Sequence, residues 1–194
     1  MILYRLPNAV AEYVASWGNQ LIRAIELNFS NVKSEFDTTY RYTPNGYYGS
    51  FYDTTTQTAA AINTAYAVKL NTTVISNGII VESNSHVKFA YDGIYNIQFS
   101  AQVDSTAAPI ALIWFWIRKN GVDIADSAGQ IHIQGSSAST IAAWNYVDRF
   151  AAGDYVELMW ATDKTATRLL YKAASSPVPA IPSVILTVVQ EARV

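Results

Sequence analysis

The chain has 194 residues, only 14% of them are charged, and the formal net charge is −2 at pH 7. Its 13 Lys and Arg residues form no block, which excludes nucleic-acid binding driven by counterion release. The absence of cysteine excludes disulfides and thiolate metal sites.

The hydropathy of the chain predicts whether it enters a membrane or is exported. No apolar run reaches the length of a bilayer-crossing helix, so we expect no membrane insertion. Residues 1–7 are too few for the apolar region of a signal peptide. We therefore expect a protein that is made in the cytoplasm and carries no export signal.

The first part of the chain has the residue spacing of an amphipathic helix from Asn8, a candidate N-cap, to about Lys33. One face carries a mostly apolar series at alternating spacings of four and three residues, and Ile25 and Val32 extend its apolar stripe: Val10, Val14, Trp17, Leu21, Ala24 and Asn28. Two interpretations stay open. The helix either folds back onto its own β domain, or its stripe meets copies of itself or a larger partner.

A polar, Tyr-rich connector over residues 36–48 favours the second interpretation, because Pro44-Asn45-Gly46 is typical of a domain boundary. We expect an N-terminal arm, helix and connector over residues 1–47, followed by a β head over residues 48–194. Within the first segment, the candidate anchoring residues are Val10, Val14, Trp17, Leu21 and Ile25.

After the connector, about ten short strands follow at regular spacing, as in a β-sandwich or barrel. The clearest turn is Asn120-Gly121, which lies between an aromatic, β-branched run and a second alternating run, because Asn-Gly tolerates the positive φ of a two-residue hairpin. Asp92-Gly93 and Asn77-Gly78 have similar surroundings. The predicted strands cover residues 49–56, 65–73, 79–82, 87–90, 93–103, 113–124, 130–134, 140–150, 155–160, 168–172 and 183–189.

The order of three segments resembles the trimeric jelly roll of tumour necrosis factor and of the globular heads of complement component one. They are Phe89-x-x-x-Gly93-x-Tyr95-x-Ile97, then Arg118-Lys119-Asn120-Gly121, then the run from Ala152-Gly153-Asp154 to Leu158. The apolar strand over residues 182–187 follows, and the match spans roughly residues 48–190. The resemblance implies a mainly β fold, an antiparallel jelly-roll sandwich preceded by an N-terminal α-helix, that assembles as a homotrimer.

The chain departs from secreted members of that family at its N-terminus, where a helix stands in place of a signal peptide, collagen stalk or membrane anchor. Similar rolls occur in bacteriophage virions, where a short N-terminal element attaches the trimer to the particle. This comparison favours a virion protein.

Residues suited to catalysis are sparse. His86 and His132 show no metal-ligand spacing, and no nucleophile elbow or phosphate-binding glycine loop occurs. The carboxylates near strand ends are typical of solvated turns, although a hidden glycosidase pair or a calcium site in the loops stays open: Asp104, Asp123, Asp126, Asp148, Asp154, Glu157 and Asp163. We expect no enzyme activity, no catalytic residue, no cofactor and no metal.

Aromatic residues supply the candidate interface. Trp114 and Trp116 share one face of a strand and Phe115 the other, so both faces are apolar, whereas one face of an antiparallel strand is normally wet. A loop could cover that strand, one face could lie in a trimer interface, or an exposed ring could bind sugar. The candidate interface residues are Trp114, Trp116, Tyr155 and Leu186.

The resulting hypothesis is a non-enzymatic structural protein of a bacteriophage virion. It would be a homotrimeric capsid decoration or fibre protein, anchored to other virion proteins by its N-terminal segment with the β head facing outward. The alternative is a carbohydrate- or receptor-binding module, such as a tail-fibre tip, that acts on a host surface glycan through the outer loops of the roll.

Overall fold

The computed structural model describes residues 15–39 and 46–193. The chain divides into two compact units, Met1–Asn45 and Gly46–Val194. The first contains the helix α1, Ala15–Thr39. The described part of the second, residues 46–193, is the head.

Helix α1 continues six residues beyond the predicted end near Lys33. The predicted end is wrong because residues 34–39 contain neither Gly nor Pro, and so no residue that stops a helix. The predicted start at Asn8 lies outside the described residues. The helix lacks a stretch that is long and apolar enough to span a bilayer.

The described part of the head forms fourteen strands. Their bounds are β1 Tyr48–Asp53, β2 Gln57–Thr58, β3 Tyr66–Ala67, β4 Thr72–Asn77, β5 Ile79–Glu82, β6 His86–Phe89, β7 Gly93–Ser105, β8 Ala111–Lys119, β9 Val122–Asp123, β10 Gly129–Ile133, β11 Ala138–Phe150, β12 Tyr155–Thr162, β13 Thr167–Leu169 and β14 Val184–Ala192. All pairings between these strands are antiparallel.

The strands form two sheets. In the first sheet, β11 pairs with one edge of β7, while β14 and β13 share its other edge; β1 and β4 continue beyond β14, and β2 lies beside β13. The second sheet has the order β10-β8-β12-β6-β5, with β3 beside β12 and β9 beside β8. Because the chain passes repeatedly from one sheet to the other between strands, the head is a jelly-roll sandwich, and the predicted fold class is confirmed.

The core lies between the sheets and is rich in aromatic rings. Phe89 stacks on Phe150 with their centroids 4.0 Å apart, and Tyr95 lies 4.6 Å from Phe89. Phe99 of the first sheet contacts Phe115 of the second at 5.4 Å. All five side chains are at most 4% exposed, so these rings join the two sheets.

The predicted Asn-Gly hairpin is present between β8 and β9, with φ of +49° at Asn120 and +80° at Gly121. Asp92-Gly93 is not a hairpin turn, because Gly93 is the first residue of β7. A side chain there would meet Gln190 and would place its Cβ 2.8 Å from the carbonyl oxygen of Ala192. This glycine therefore permits close packing of β14 against β7.

The segment over residues 65–73 is not one strand, as predicted, but contains β3 and the first residues of β4. The residues between them bond to side chains and loops: the N–H of Lys69 donates to Gln57 Oε1, and the N–H of Leu70 donates to the carbonyl of Asn84. The alternation of side chains arises here from an extended connection between the two sheets.

Candidate interaction surfaces

The outer face of the first sheet, which points away from the core, is the first candidate surface. Alternate residues of β7, such as Tyr95 and Ile97, are buried in the core, so the residues between them point outward. The same alternation holds along β11 and β14. The three neighbouring strands therefore present aligned rows of outward side chains.

Two rows show the character of this face. Val147 of β11 lies opposite Asn96 of β7, which lies opposite Val189 of β14. Two outward rows further along, beyond Gln98, Ser100 lies between Ala143 and Ile185. Branched apolar side chains thus alternate with amides and hydroxyls.

The apolar members of this face are open to solvent. Four of them are between 40% and 59% exposed: Ile141, Val147, Ile185 and Val189. Ile75 of β4 lies opposite Ser50 of β1 and is also exposed, so the apolar character extends across the sheet. This is a wide surface with apolar side chains that no described residue covers.

Charged groups on the described parts of β7, β11 and β14 stand at the two ends of this face. At one end the carboxylate of Asp104 pairs with Arg168 of β13, with Oδ2 and Nη2 2.8 Å apart. At the other end Arg149 and Glu191 are exposed, and Glu191 accepts a hydrogen bond from Asn96 at 3.3 Å. The centre is neutral, as in the cores of protein–protein interfaces, which are depleted of charge.

The predicted interface residues Trp114 and Trp116 lie elsewhere, on the outer face of the second sheet. The intervening Phe115 points into the core. Both indoles are partly exposed and held by hydrogen bonds: Trp114 Nε1 donates to Gln130 Oε1 at 2.7 Å, and Trp116 Nε1 donates to Asp123 Oδ1 at 2.8 Å. No covering loop is needed to explain them, because each ring has a polar partner.

Of the other two predicted interface residues, Tyr155 shares this outer face and Leu186 does not. Tyr155 is on the outer face of the second sheet, where its ring stacks on His86 with the centroids 4.1 Å apart. Leu186 belongs to the first sheet and is 1% exposed within the core. Three of the four residues therefore share the outer face of the second sheet, while on the first sheet β14 presents Ile185 and Val189 outward and Leu186 supports the sandwich from inside.

The carboxylates near the turns act as hydrogen-bond acceptors. Hydrogen bonds from Arg118 and Trp116 lower the pKa of Asp123. Burial raises the pKa of Asp163, but hydrogen bonds from the N–H of Leu112 and from Lys164 outweigh it and bring the net pKa below its ordinary value. A glycosidase general acid needs a raised pKa, so neither group has that property.

A similar balance applies to Asp154. Burial raises the pKa of this carboxyl, but hydrogen bonds from Asn120 and the N–H of Ala151, with the nearby Lys119, lower it overall. The same side chain joins the turn after β8 to the turn before β12, since Asn120 Nδ2 donates to Asp154 Oδ1 at 2.8 Å. Its role in the described structure is to hold these turns together.

The two histidines lie apart. His86 Nε2 is 3.4 Å from Oε1 of the buried Glu157, which also accepts a hydrogen bond from Ser85. His132 Nε2 lies 2.6 Å from Gln130 Nε2. Across residues 15–39 and 46–193, no group of three or more His, Cys, Asp or Glu side chains is placed to hold a metal ion.

The helix offers a second surface. Of the five candidate anchoring residues, Val10 and Val14 lie outside the described residues, as does the side chain of Trp17. Leu21 is partly buried and Ile25 is 39% exposed. The most exposed apolar stripe contains Ile25 but is otherwise shifted around the helix from the predicted one: Ile22, Ile25, Phe29 and Val32.

The sequence could have revealed the neutral outer face. Along residues 184–189 every side chain except Thr187 is apolar, so both faces of this strand are apolar. Residues 141–147 likewise carry Ile141 and Val147 between polar and small outward residues. The aromatic strand over residues 113–117 gave a stronger signal of the same kind, but there the outward rings are tied to polar partners.

No protein-family model matches the chain, and no curated protein matches it. Among solved structures, the globular domain of zebrafish complement 1qA is 12% identical with a TM-score of 0.47, and the match covers 77% of this chain and 100% of that one. Murine APRIL is 11% identical with a TM-score of 0.49, covering 75% and 99%. The Eiger TNF of S. frugiperda is 10% identical with a TM-score of 0.49, covering 77% and 96%.

Proposed function

We propose that the chain is a non-enzymatic structural protein of a bacteriophage virion, a homotrimer of jelly-roll heads attached to the particle by its N-terminal segment. The observation that carries the proposal is the neutral outer face of the first sheet. It is wide, partly apolar, and charged only at its ends among the described strands. This is the composition expected of a surface that packs against another protein.

Copies of the same chain are the partner that this face suits. In a ring with threefold symmetry each head presents the same patch, so one surface is used three times and the assembly closes. The amides of Asn96, Gln98 and Asn145 can hydrogen-bond across such a contact, while Val147 and Val189 supply apolar area. Burying the neutral centre avoids the desolvation cost of unpaired charges.

The helix supports the attachment to a particle. It belongs to a separate unit from the head, and the sequence before the exposed stripe carries the predicted anchoring residues Val10, Val14 and Trp17. Each such side chain contributes about 1.5–3 kcal/mol when it becomes fully buried. Three linked copies bind together with higher avidity than one, which suits a small trimer held on a particle.

Two substitutions of matched exposure test the trimer. Val189 on the proposed interface is 49% exposed, and Ile80 on the second sheet is 50% exposed. Val189→Asp would place an unpaired carboxylate in each copy of the interface, at a cost of several kcal/mol per buried ion. We expect V189D to lower the mass measured by light scattering from trimer to monomer, and I80D to leave it unchanged.

The opposite pattern would contradict the proposed interface. A trimeric V189D together with a monomeric I80D would place the contact on the second sheet. Circular dichroism of both variants checks that each head remains folded. A tagged chain recovered with purified particles and visible as threefold density on their surface would support the virion assignment, and its absence from particles would contradict it.

A carbohydrate-binding function is the second candidate, favoured by the two indoles on the second sheet. Trp114 and Trp116 are partly exposed and oriented by hydrogen bonds, with the polar groups of Gln130 and Asp123 beside them. Aromatic rings flanked by planar polar side chains are suited to an amphipathic ligand such as a sugar ring. Binding to a defined glycan that is lost in Trp116→Ala would favour this function, and a glycan array without binding would exclude the tested sugars.

A further inference from the structure

The exposed stripe of helix α1 has the spacing of a coiled-coil seam. Four apolar side chains, each between 39% and 72% exposed, follow one another at intervals of three, four and three residues: Ile22, Ile25, Phe29 and Val32. In heptad terms Ile22 and Phe29 occupy a positions, and Ile25 and Val32 occupy d positions. The next a position in the sequence is Phe36.

The narrow width of this stripe, limited to a and d positions, favours a helical partner. Intervals of three and four average 3.5 residues, the repeat that keeps a seam facing another supercoiled helix. A helix that lies on a sheet or in a globular groove usually has a broader apolar band with a period of 3.6 residues. The stripe is therefore matched to other helices of the same period, and a copy of this chain supplies them.

The residue types favour three strands. Isoleucine at both a and d, as in Ile22 and Ile25, shifts parallel coiled coils from dimers to higher oligomers. The flanking g positions hold Leu21 and Asn28, and the e positions hold Glu26 and Lys33. A neighbouring parallel helix therefore brings no like charges together at the seam.

The helix also needs a partner for its own stability. Gly18 and three β-branched residues, Ile22, Ile25 and Val32, are weak helix formers. Within the described span Ala15–Thr39, the first turn has no acidic residue and the last turn has no basic residue, so neither turn contributes a charge that stabilises the helix dipole. Packing of the exposed stripe against a partner would add stability to such a helix.

We propose that α1 forms a parallel three-stranded coiled coil with the helices of two other copies, through Ile22, Ile25, Phe29 and Val32. The inference rests on the homotrimer of the proposed function. Threefold symmetry keeps the helices parallel, and only residues 40–45 separate each helix from its head unit. A trimeric head would hold the three helices at an effective concentration on the order of millimolar, which favours a short coiled coil.

The lack of native cysteine makes a direct test simple. In the full chain, Phe29→Cys places a thiol in the seam. Ser30→Cys, one residue on, places it about 100° around the helix on an exposed polar face. Ile25→Cys repeats the test with a smaller loss of apolar volume. Each variant is oxidised mildly, run on a non-reducing gel, and its mass before oxidation is measured by sedimentation.

We expect F29C and I25C to form linked dimers rapidly and S30C to remain mostly unlinked. At most two chains of each trimer can be joined, because one cysteine forms one disulfide. Trimers in which F29C and I25C link no faster than S30C would overturn the coiled coil and leave the head trimer standing. A chain that sediments as a monomer and gives no links would overturn both proposals.

Discussion

Replacing Phe115 by alanine should destabilise the head far more than replacing its neighbour Trp114, although tryptophan is the larger residue. Phe115 is 0% exposed, and its ring lies 5.4 Å from Phe99 and 5.9 Å from Trp144. Removing a buried phenylalanine typically costs about 3–5 kcal/mol through lost transfer energy and the cavity that remains. Trp114 is partly exposed and has one hydrogen bond to Gln130, so we expect about 1–2 kcal/mol.

Urea denaturation followed by far-ultraviolet circular dichroism measures both losses at one fixed protein concentration, which matters because assembly adds to apparent stability. The two positions are adjacent on β8, so they share the same backbone and strand pairing. Similar urea m-values show that the variants unfold from equally compact states. A larger loss for Trp114→Ala than for Phe115→Ala would refute the assignment of inner and outer faces, and with it the two candidate surfaces.

Three further predictions concern other parts of the chain. Gly93→Ala places a Cβ 2.8 Å from a carbonyl oxygen of β14 and should lower the free energy of unfolding by about 1–3 kcal/mol. In the control Gly46→Ala the nearest atom to the new Cβ is 3.8 Å away, so the melting temperature should stay nearly unchanged. Equal melting temperatures for the two variants would contradict the close contact at Gly93. Burial raises the pKa of Tyr95 from 10.0 to about 12, so the stability it contributes is complete below pH 10 and is lost as the pH rises towards 12. Between pH 9 and pH 11, urea titrations should therefore show a larger loss of unfolding free energy for the native chain than for Tyr95→Phe. An equal loss in both would contradict the role of Tyr95. Residues 1–36 should be dispensable for folding of the head but required for attachment to the particle. A truncated chain that begins at Tyr42 should therefore be soluble and fail to bind particles. An insoluble truncated chain, or one that binds particles as well as the full chain does, would contradict the anchoring role.

The strand content of the head was predictable because it depends on local patterns. Alternation gave most of the long strands within a few residues, and the positive φ that Asn120-Gly121 tolerates gave the hairpin. Asp92-Gly93 does not form the turn that the dipeptide predicts, because a strand that approaches another too closely for a side chain also requires glycine. The approach of β14 to β7 joins residues almost a hundred positions apart, which no local pattern contains.

The existence of an apolar interaction surface could be predicted from the sequence, but the residues that form it could not. The sequence indicated a strand with two apolar faces and an interface on one sheet, but not which face met solvent. Trp114 is outward because Ile113 and Phe115 on either side of it are buried, and its hydrogen bond to Gln130 of β10 depends on the register of two strands. Leu186 is inward and Ile185 outward for the same reason, since a shift of one residue in β14 would exchange them.

Sedimentation equilibrium of the intact chain at micromolar concentration tests the central claim most directly. A homotrimer built on the neutral outer face of the first sheet predicts a single species with three times the chain mass of 21.4 kDa, unchanged on dilution through the micromolar range. A species of 21.4 kDa would contradict the claim, because the exposed apolar side chains of that face would then have no partner. A distribution that grows continuously with concentration would also contradict it, since threefold contacts close after three copies.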